Sequence, residues 1–189
     1  MASANFSPCL AFELRREGGK VDDPRDPGGR TDEGITQRTY NAWRKARRLP
    51  LRSVYLMAPS ERDAIYRREY WDAIGGDDLR AGEDLVVLDY AVNSGPAKAL
   101  SEWRAAGGAK ADVDAVIRAL CARRLTFLHR LSNWTRFGKG WDARVAACQA
   151  LALQMAAKQR QLDSVARAVE AELSRSMLAA APTMKGTQA

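Results

Sequence analysis

The stretch that most constrains this chain is residues 20–35, KVDDPRDPGGRTDEGI. Proline, glycine and aspartate crowd it so densely that no helix can pass through. It reads as a long polar excursion carrying a short irregular hairpin. Gly18-Gly19 stands just before it and stops whatever helix precedes it. Elsewhere strand-like alternation is scarce, and Ala, Leu, Arg and Glu fill segments of helical period. The expected fold class is therefore all-α, with one loop or hairpin after the first helix.

The helices can be placed by their ends. Ser7-Pro8 is read as the first helix start, with the helix running to Arg16 or Glu17. Thr36 can cap a second, carrying Tyr40 and Trp43. Ser60-Glu61-Arg62-Asp63 fits a capping box for a third, carrying Ile65, Tyr66 and Tyr70, and Gly75-Gly76 breaks it. The segment 82–93 is apolar on all sides and should be the buried central helix. Pro96 begins the next helix. A further helix after Asp112 puts Val113, Ile117, Leu120 and Phe127 along one stripe. Between Trp141 and Leu178 there is neither Pro nor Gly, and a weak heptad runs through Val145, Cys148, Ala152, Met155, Leu162 and Val169. A long C-terminal helix is expected, with possible self-association through it and a disordered tail over 182–189.

Composition excludes several classes. Hydrophobic residues make up 46% of the 189, against wholesale disorder, and charged residues 28%. No apolar run approaches the roughly 20 residues that span a bilayer, so no stable membrane insertion is expected. The first residues do not read as a signal peptide. Synthesis in the cytoplasm, with release to the wall by a holin or dedicated export, is the expectation. Cys9, Cys121 and Cys148 are odd in number and widely spaced, and His129 is the single histidine. A zinc site or disulfide framework is not expected, and the cysteines read as small buried apolar residues. The net charge is +7, with 14 of the 30 Lys and Arg between Arg15 and Arg68. Such a chain favours polyanions, but charge alone cannot choose among nucleic acid, anionic lipid and bacterial envelope.

Glu17 is the first candidate for chemistry. Leu10 and Leu14 precede it by seven and three residues, on one helix face. Burial and the negative end of the helix dipole would both favour its protonated form. A carboxylic acid that keeps its proton near neutrality is what glycoside cleavage requires. The alternative is a surface Glu ending a helix. A second carboxylate is also needed, and Asp26, between Pro24 and Gly28-Gly29 with Pro27 beside it, is a presented one. It could equally be a turn residue capping its own loop. Asp89 and Asn93, four apart on the apolar helix, must be hydrogen-bonded, either lining a groove or tying helix ends. Tyr66, Tyr70 and Trp71 could stack on sugars, while Trp71 and Trp141 fit the core better.

Glu17-Gly18-Gly19, Asp23-Pro24, Asp26-Pro27-Gly28-Gly29, Thr31 and Gly34-Ile35-Thr36 together resemble the N-terminal signature of glycoside hydrolase family 108, the phage and bacterial N-acetylmuramidases. The resemblance continues through Tyr66, Tyr70-Trp71, Asp89-Tyr90-Ala91-Val92-Asn93-Ser94-Gly95, Phe137 and Gly140-Trp141-Asp142-Ala143-Arg144. It implies a lysozyme-like helical fold and a catalytic acid at Glu17. Asp26 and Thr31 would complete a trio like that of phage-type lysozymes. It implies substrate contacts at Tyr66, Tyr70, Asp89, Asn93 and Ser94, and needs neither metal nor organic cofactor. The chain departs from the pattern at Lys20, where an aromatic is usual, and over 101–110, which is shortened.

The resulting expectation is a lysozyme-like muramidase domain over 1–150. Its catalytic half is 6–80, and an altered peptidoglycan-binding-like half is 81–150. A helical extension covers 151–181. The expected partners are peptidoglycan glycan strands and not nucleic acid. A wall binder without catalysis, a basic helical nucleic-acid binder supported only by charge, and the same chemistry used to remodel wall during secretion are the competing readings.

Overall fold

A computed structural model describes residues 5–15 and 30–180, with side chains through Met177. Glu17, Asp26, the rest of the excursion up to residue 29 and the expected tail lie outside the described residues.

Among the described residues the protein is all-α with one minimal hairpin. The first helix, α1, spans Phe6–Leu14. A hairpin follows, β1 (Thr31–Asp32) paired antiparallel with β2 (Ile35–Thr36), with Thr31 opposite Thr36. Then come α2 (Gln37–Ala46), α3 (Pro59–Tyr66), α4 (Glu83–Ser94), α5 (Pro96–Ala105), α6 (Val113–Leu128) and α7 (Trp134–Ala180).

Several ends follow from side-chain chemistry. Thr36 Oγ1 accepts the Thr39 N–H at 3.2 Å and caps α2. Asp112 Oδ1 accepts the Ala115 N–H at 3.0 Å and caps α6. Each satisfies a donor that has no partner inside its own helix. Two expected starts need correction. α1 begins at Phe6, so Pro8 occupies the third helical position, where its missing N–H still costs nothing. It also ends at Leu14, with Arg15 as the terminal turn, before the expected end at Arg16 or Glu17. α3 begins at Pro59, and a one-way cap comes from Glu61, whose carboxylate accepts the Ala58 N–H at 3.0 Å. The proline at the first position moves the start ahead of Ser60. The expected third helix then widens into a π-turn over Arg67–Trp71, which buries Trp71 completely.

α4 is the axis. Glu83 through Ala91 are all buried, and α1, α5, α6 and α7 pack around them. Gly82 begins it with φ +89°, and a Cβ there would meet the Ala152 carbonyl oxygen of α7 at 2.3 Å. Glycine lets the two helices touch backbone to backbone. The main core gathers α4, α6 and α7, including Leu85, Leu88, Ile117, Leu120, Val145 and Ala152. A second cluster joins the hairpin to α2 and α3 through Ile35, Tyr40, Trp43, Val54, Ile65 and Tyr66. Phe6, Tyr70 and Val92 touch both. α7 buries Val145, Cys148, Ala152 and Ala156, then runs on exposed from residue 157. The three cysteines are free and buried, as their spacing suggested.

Candidate active site

Asp89 is fully buried in α4, and its carboxylate is the hub of the site. Its Oδ2 accepts a short hydrogen bond from Arg124 Nη1 of α6. Its Oδ1 accepts from Arg144 Nε of α7 at 2.6 Å. Arg144 Nη2 reaches on to Glu13 Oε2 of α1 at 2.5 Å. Two carboxylates and two guanidiniums thus meet inside the protein, on four different helices. A buried ion left without its partner would be expensive, so the four hold each other in place.

Their protonation differs. Burial raises the Glu13 carboxyl well above the usual range, and the negative charge of Asp89 adds to this against the pull of Arg144. For Asp89, burial pushes upward too, but Arg124 and Arg144 outweigh it and hold the carboxyl below its ordinary value. Of the two, Asp89 is held toward its ionised form and Glu13 is pushed toward its protonated form. Glu13 Oε1 has no hydrogen-bond partner among the described residues.

Above this frame lies a cleft. Two hollows, of about 250 and 420 Å³, share Asn93, Trp141 and Arg144 as walls. The first continues to Ser94, Arg124 and Phe127, and the second to Gly140 and Ala143. Asn93 is exposed, and its Nδ2 donates to the Asp89 carbonyl oxygen at 2.7 Å. Trp141 is half-buried and forms a wall of both hollows, whereas Trp71 is wholly core.

The structure places the residues expected from sequence in two groups. Asn93 and Ser94 line the cleft, with Asp89 beneath them. Thr31, Tyr66 and Tyr70 stand at the hairpin, at the end of α3 and in the π-turn after it, and none lines the described cleft. Tyr66 is fully buried, and its hydroxyl donates to the Glu33 carbonyl oxygen at 2.9 Å. It ties down the tight turn beside Thr31, where Glu33 has φ +47°. Tyr70 is half-buried against the Tyr66 ring at 5.5 Å.

Sequence reasoning assigned no role to Glu13, Arg124 or Arg144. A signal existed for Arg124, which falls on the buried stripe Ile117, Leu120, Cys121, Leu128 of α6. Glu13 is the lone acid in the apolar run FSPCLAFEL. Among the described residues no cluster of three or more His, Cys, Asp or Glu could hold a metal. Burial pushes the Cys121 thiol up to about 12, with the nearby Arg124 opposing, so it stays a neutral apolar group.

Comparison with known proteins bears on this arrangement. The sequence model of the glycosyl hydrolase 108 family matches residues 10–95, from α1 through the Asn93-Ser94 end of α4. The solved structure of SagA from Brucella abortus is 35% identical, with a TM-score of 0.72 over 82% of this chain and 97% of SagA. A search of curated proteins finds no match. The chain belongs to glycosyl hydrolase family 108. The part matched by the family 108 model contains both carboxylates of the frame, Glu13 and Asp89, while Arg124 and Arg144 come from helices beyond it.

Proposed function

We propose that this glycoside hydrolase is a bacteriolytic N-acetylmuramidase. It hydrolyses the β-1,4 bond between N-acetylmuramic acid and N-acetylglucosamine in peptidoglycan. Membership of the family supports a peptidoglycan-degrading glycosidase. The observation that carries the finer reading is the buried Glu13–Arg144–Asp89–Arg124 frame beneath an open cleft walled by Asn93 and Trp141. Glu17 follows Glu13 by four residues in the sequence.

In this reading Glu17 gives its proton to the glycosidic oxygen as the bond to C1 of N-acetylmuramic acid breaks. Asp26 and Thr31 hold the attacking water or stabilise the oxocarbenium-like charge. Asn93 and Ser94 offer amide and hydroxyl groups to sugar substituents, and the Trp141 ring offers an apolar wall. Asp89 has both oxygens engaged by arginines, so it acts through Asn93 and Arg144 as a positioning residue. Tyr66 and Tyr70 position the hairpin that bears Thr31.

Mass spectrometry of digested, purified peptidoglycan tests the bond. New reducing ends on N-acetylmuramic acid are expected. Reducing ends on N-acetylglucosamine, or anhydro-sugar products, would overturn the proposal while leaving a family glycosidase.

A further inference from the structure

From Gln37 to Arg52 the chain carries six basic residues and no acidic one. This run ends Arg47-Arg48-Leu49-Pro50-Leu51-Arg52, in the connection between α2 and α3. Leu49 is 39% exposed, Leu51 51%, and Leu56, shortly after, 64%. Arg44 and Arg52 are spent internally, both on Glu61, at 2.6 and 2.5 Å. Arg38, Lys45, Arg47 and Arg48 are exposed and have no acidic partner among the described residues. Arg47 lies over the Trp43 ring at 4.0 Å, beside a hollow of about 330 Å³ that Arg38, Arg68 and Glu69 line.

The connection is held, not loose. Leu49 N–H donates to the Arg44 carbonyl oxygen at 3.0 Å, Arg44 Nε to the Pro50 carbonyl oxygen at 2.5 Å, and Gln37 Nε2 to the Arg52 carbonyl oxygen at 2.9 Å. Arg48 is fixed in the left-handed region, with φ +57°, which few non-glycine residues occupy. The backbone therefore presents the leucines to solvent.

We propose that this connection is a membrane-surface contact. Leu49 and Leu51 enter the interfacial layer of an anionic bilayer, while Lys45, Arg47 and Arg48 meet lipid phosphates. The choice of occupant follows from the two chemistries together. A nucleic acid or a wall polyanion would satisfy the arginines and leave the leucines in water. A second copy would cover the leucines but set one acid-free basic run against another. An anionic bilayer satisfies both, with cations at the headgroups and leucines just below them.

Co-sedimentation of the full chain with vesicles is the test. Vesicles containing phosphatidylglycerol should bind it at least about tenfold better than pure phosphatidylcholine, and added salt should weaken the binding. Leu49→Ser with Leu51→Ser should weaken it about tenfold. Lys45→Gln with Arg48→Asn should weaken it roughly 25-fold, about fivefold per cation near an anionic surface. Asparagine tolerates the backbone at Arg48. Hydrolysis of soluble glycan fragments should be unchanged in both variants, which also reports that they fold. Failure of the unsubstituted chain to bind anionic vesicles overturns the proposal. So does binding indifferent to the leucine substitutions, which would mark a general polyanion patch. Self-association abolished by those substitutions, without vesicle binding, would assign the patch to a second copy.

Discussion

Arg144 of α7 donates to Glu13 of α1, 131 positions earlier, at 2.5 Å, and to Asp89 of α4 at 2.6 Å. One guanidinium thereby fastens the first, central and last helices together. Arg144→Met keeps most of the side-chain volume and removes the shared cation. Breaking a buried pair by deleting one partner costs about 3–5 kcal/mol. The cost should be smaller near about pH 5 than near about pH 8, because burial and Asp89 already favour a protonated Glu13. Arg144→Lys keeps the charge but not the fork and should fall between. Urea unfolding at the two pH values measures this. A loss under about 1 kcal/mol at the higher pH would show that the frame does not hold the helices.

Asp84 makes stability depend on pH. Its buried carboxylate accepts from Asn5 Nδ2 and the Gly82 N–H, each at 2.8 Å, and from the Leu85 N–H at 2.7 Å. Burial nevertheless pushes its pKa up to about 6, against those bonds. The folded state thus holds this proton more tightly than the unfolded chain does. The stabilisation is complete below the unfolded value, near 4, and is lost as pH rises through about 6. A shift of about two units corresponds to about 3 kcal/mol. Unfolding free energy should decline across this window, and Asp84→Asn should flatten the decline. An unchanged slope in the variant would place the effect on another group.

Much of the fold is legible in the sequence because it rests on local rules. The Pro- and Gly-rich excursion breaks the helical pattern, Thr36 and Asp112 announce helix starts, and the run 83–91 is apolar enough to be central. The candidate site is less legible because its charges are paired over long range. Helical spacing joined Leu10, Leu14 and Glu17, but the acid that α1 buries completely is Glu13, beside Cys9 and Phe12. Burying that carboxylate is tolerable only because Arg144 arrives from the other end of the chain, and no periodicity in α1 reveals it. Glu17 and Asp26, which the family signature singles out, lie outside the described residues.

The distal part of α7 should be dispensable for bond cleavage. Core burial stops at Ala156, and Leu162, Val165, Val169, Leu173 and Met177 are all at least 54% exposed. Arg160 still pairs with Asp114 of α6 at 2.8 Å, on the surface. A chain ending after Arg160 keeps that pair and the whole buried stripe. Its unfolding free energy should fall by less than about 1 kcal/mol, and its activity on soluble glycan fragments should persist. Complete loss of activity in a truncated chain that still folds would show that the extension builds part of the site.

The decisive substitution is Glu17→Gln. Glutamine keeps the shape and the hydrogen-bonding reach of the side chain but has no proton to release. If Glu17 is the general acid, glycan cleavage should fall by at least about two orders of magnitude. Folding should be unharmed, since the change removes a charge without opening a cavity. The unsubstituted enzyme should lose activity on the alkaline side as Glu17 ionises, and that limb should be absent from the residual activity of the variant. Asp26→Asn should also slow cleavage, by a smaller factor if Asp22, Asp23 or Glu33 can share its task. Turbidity loss of outer-membrane-stripped cells and reducing-sugar release from soluble glycan, measured side by side, separate wall binding from bond cleavage. Near-normal cleavage by purified Glu17→Gln protein would remove Glu17 from the mechanism and return the search for the acid to the remaining carboxylates of the 20–35 excursion.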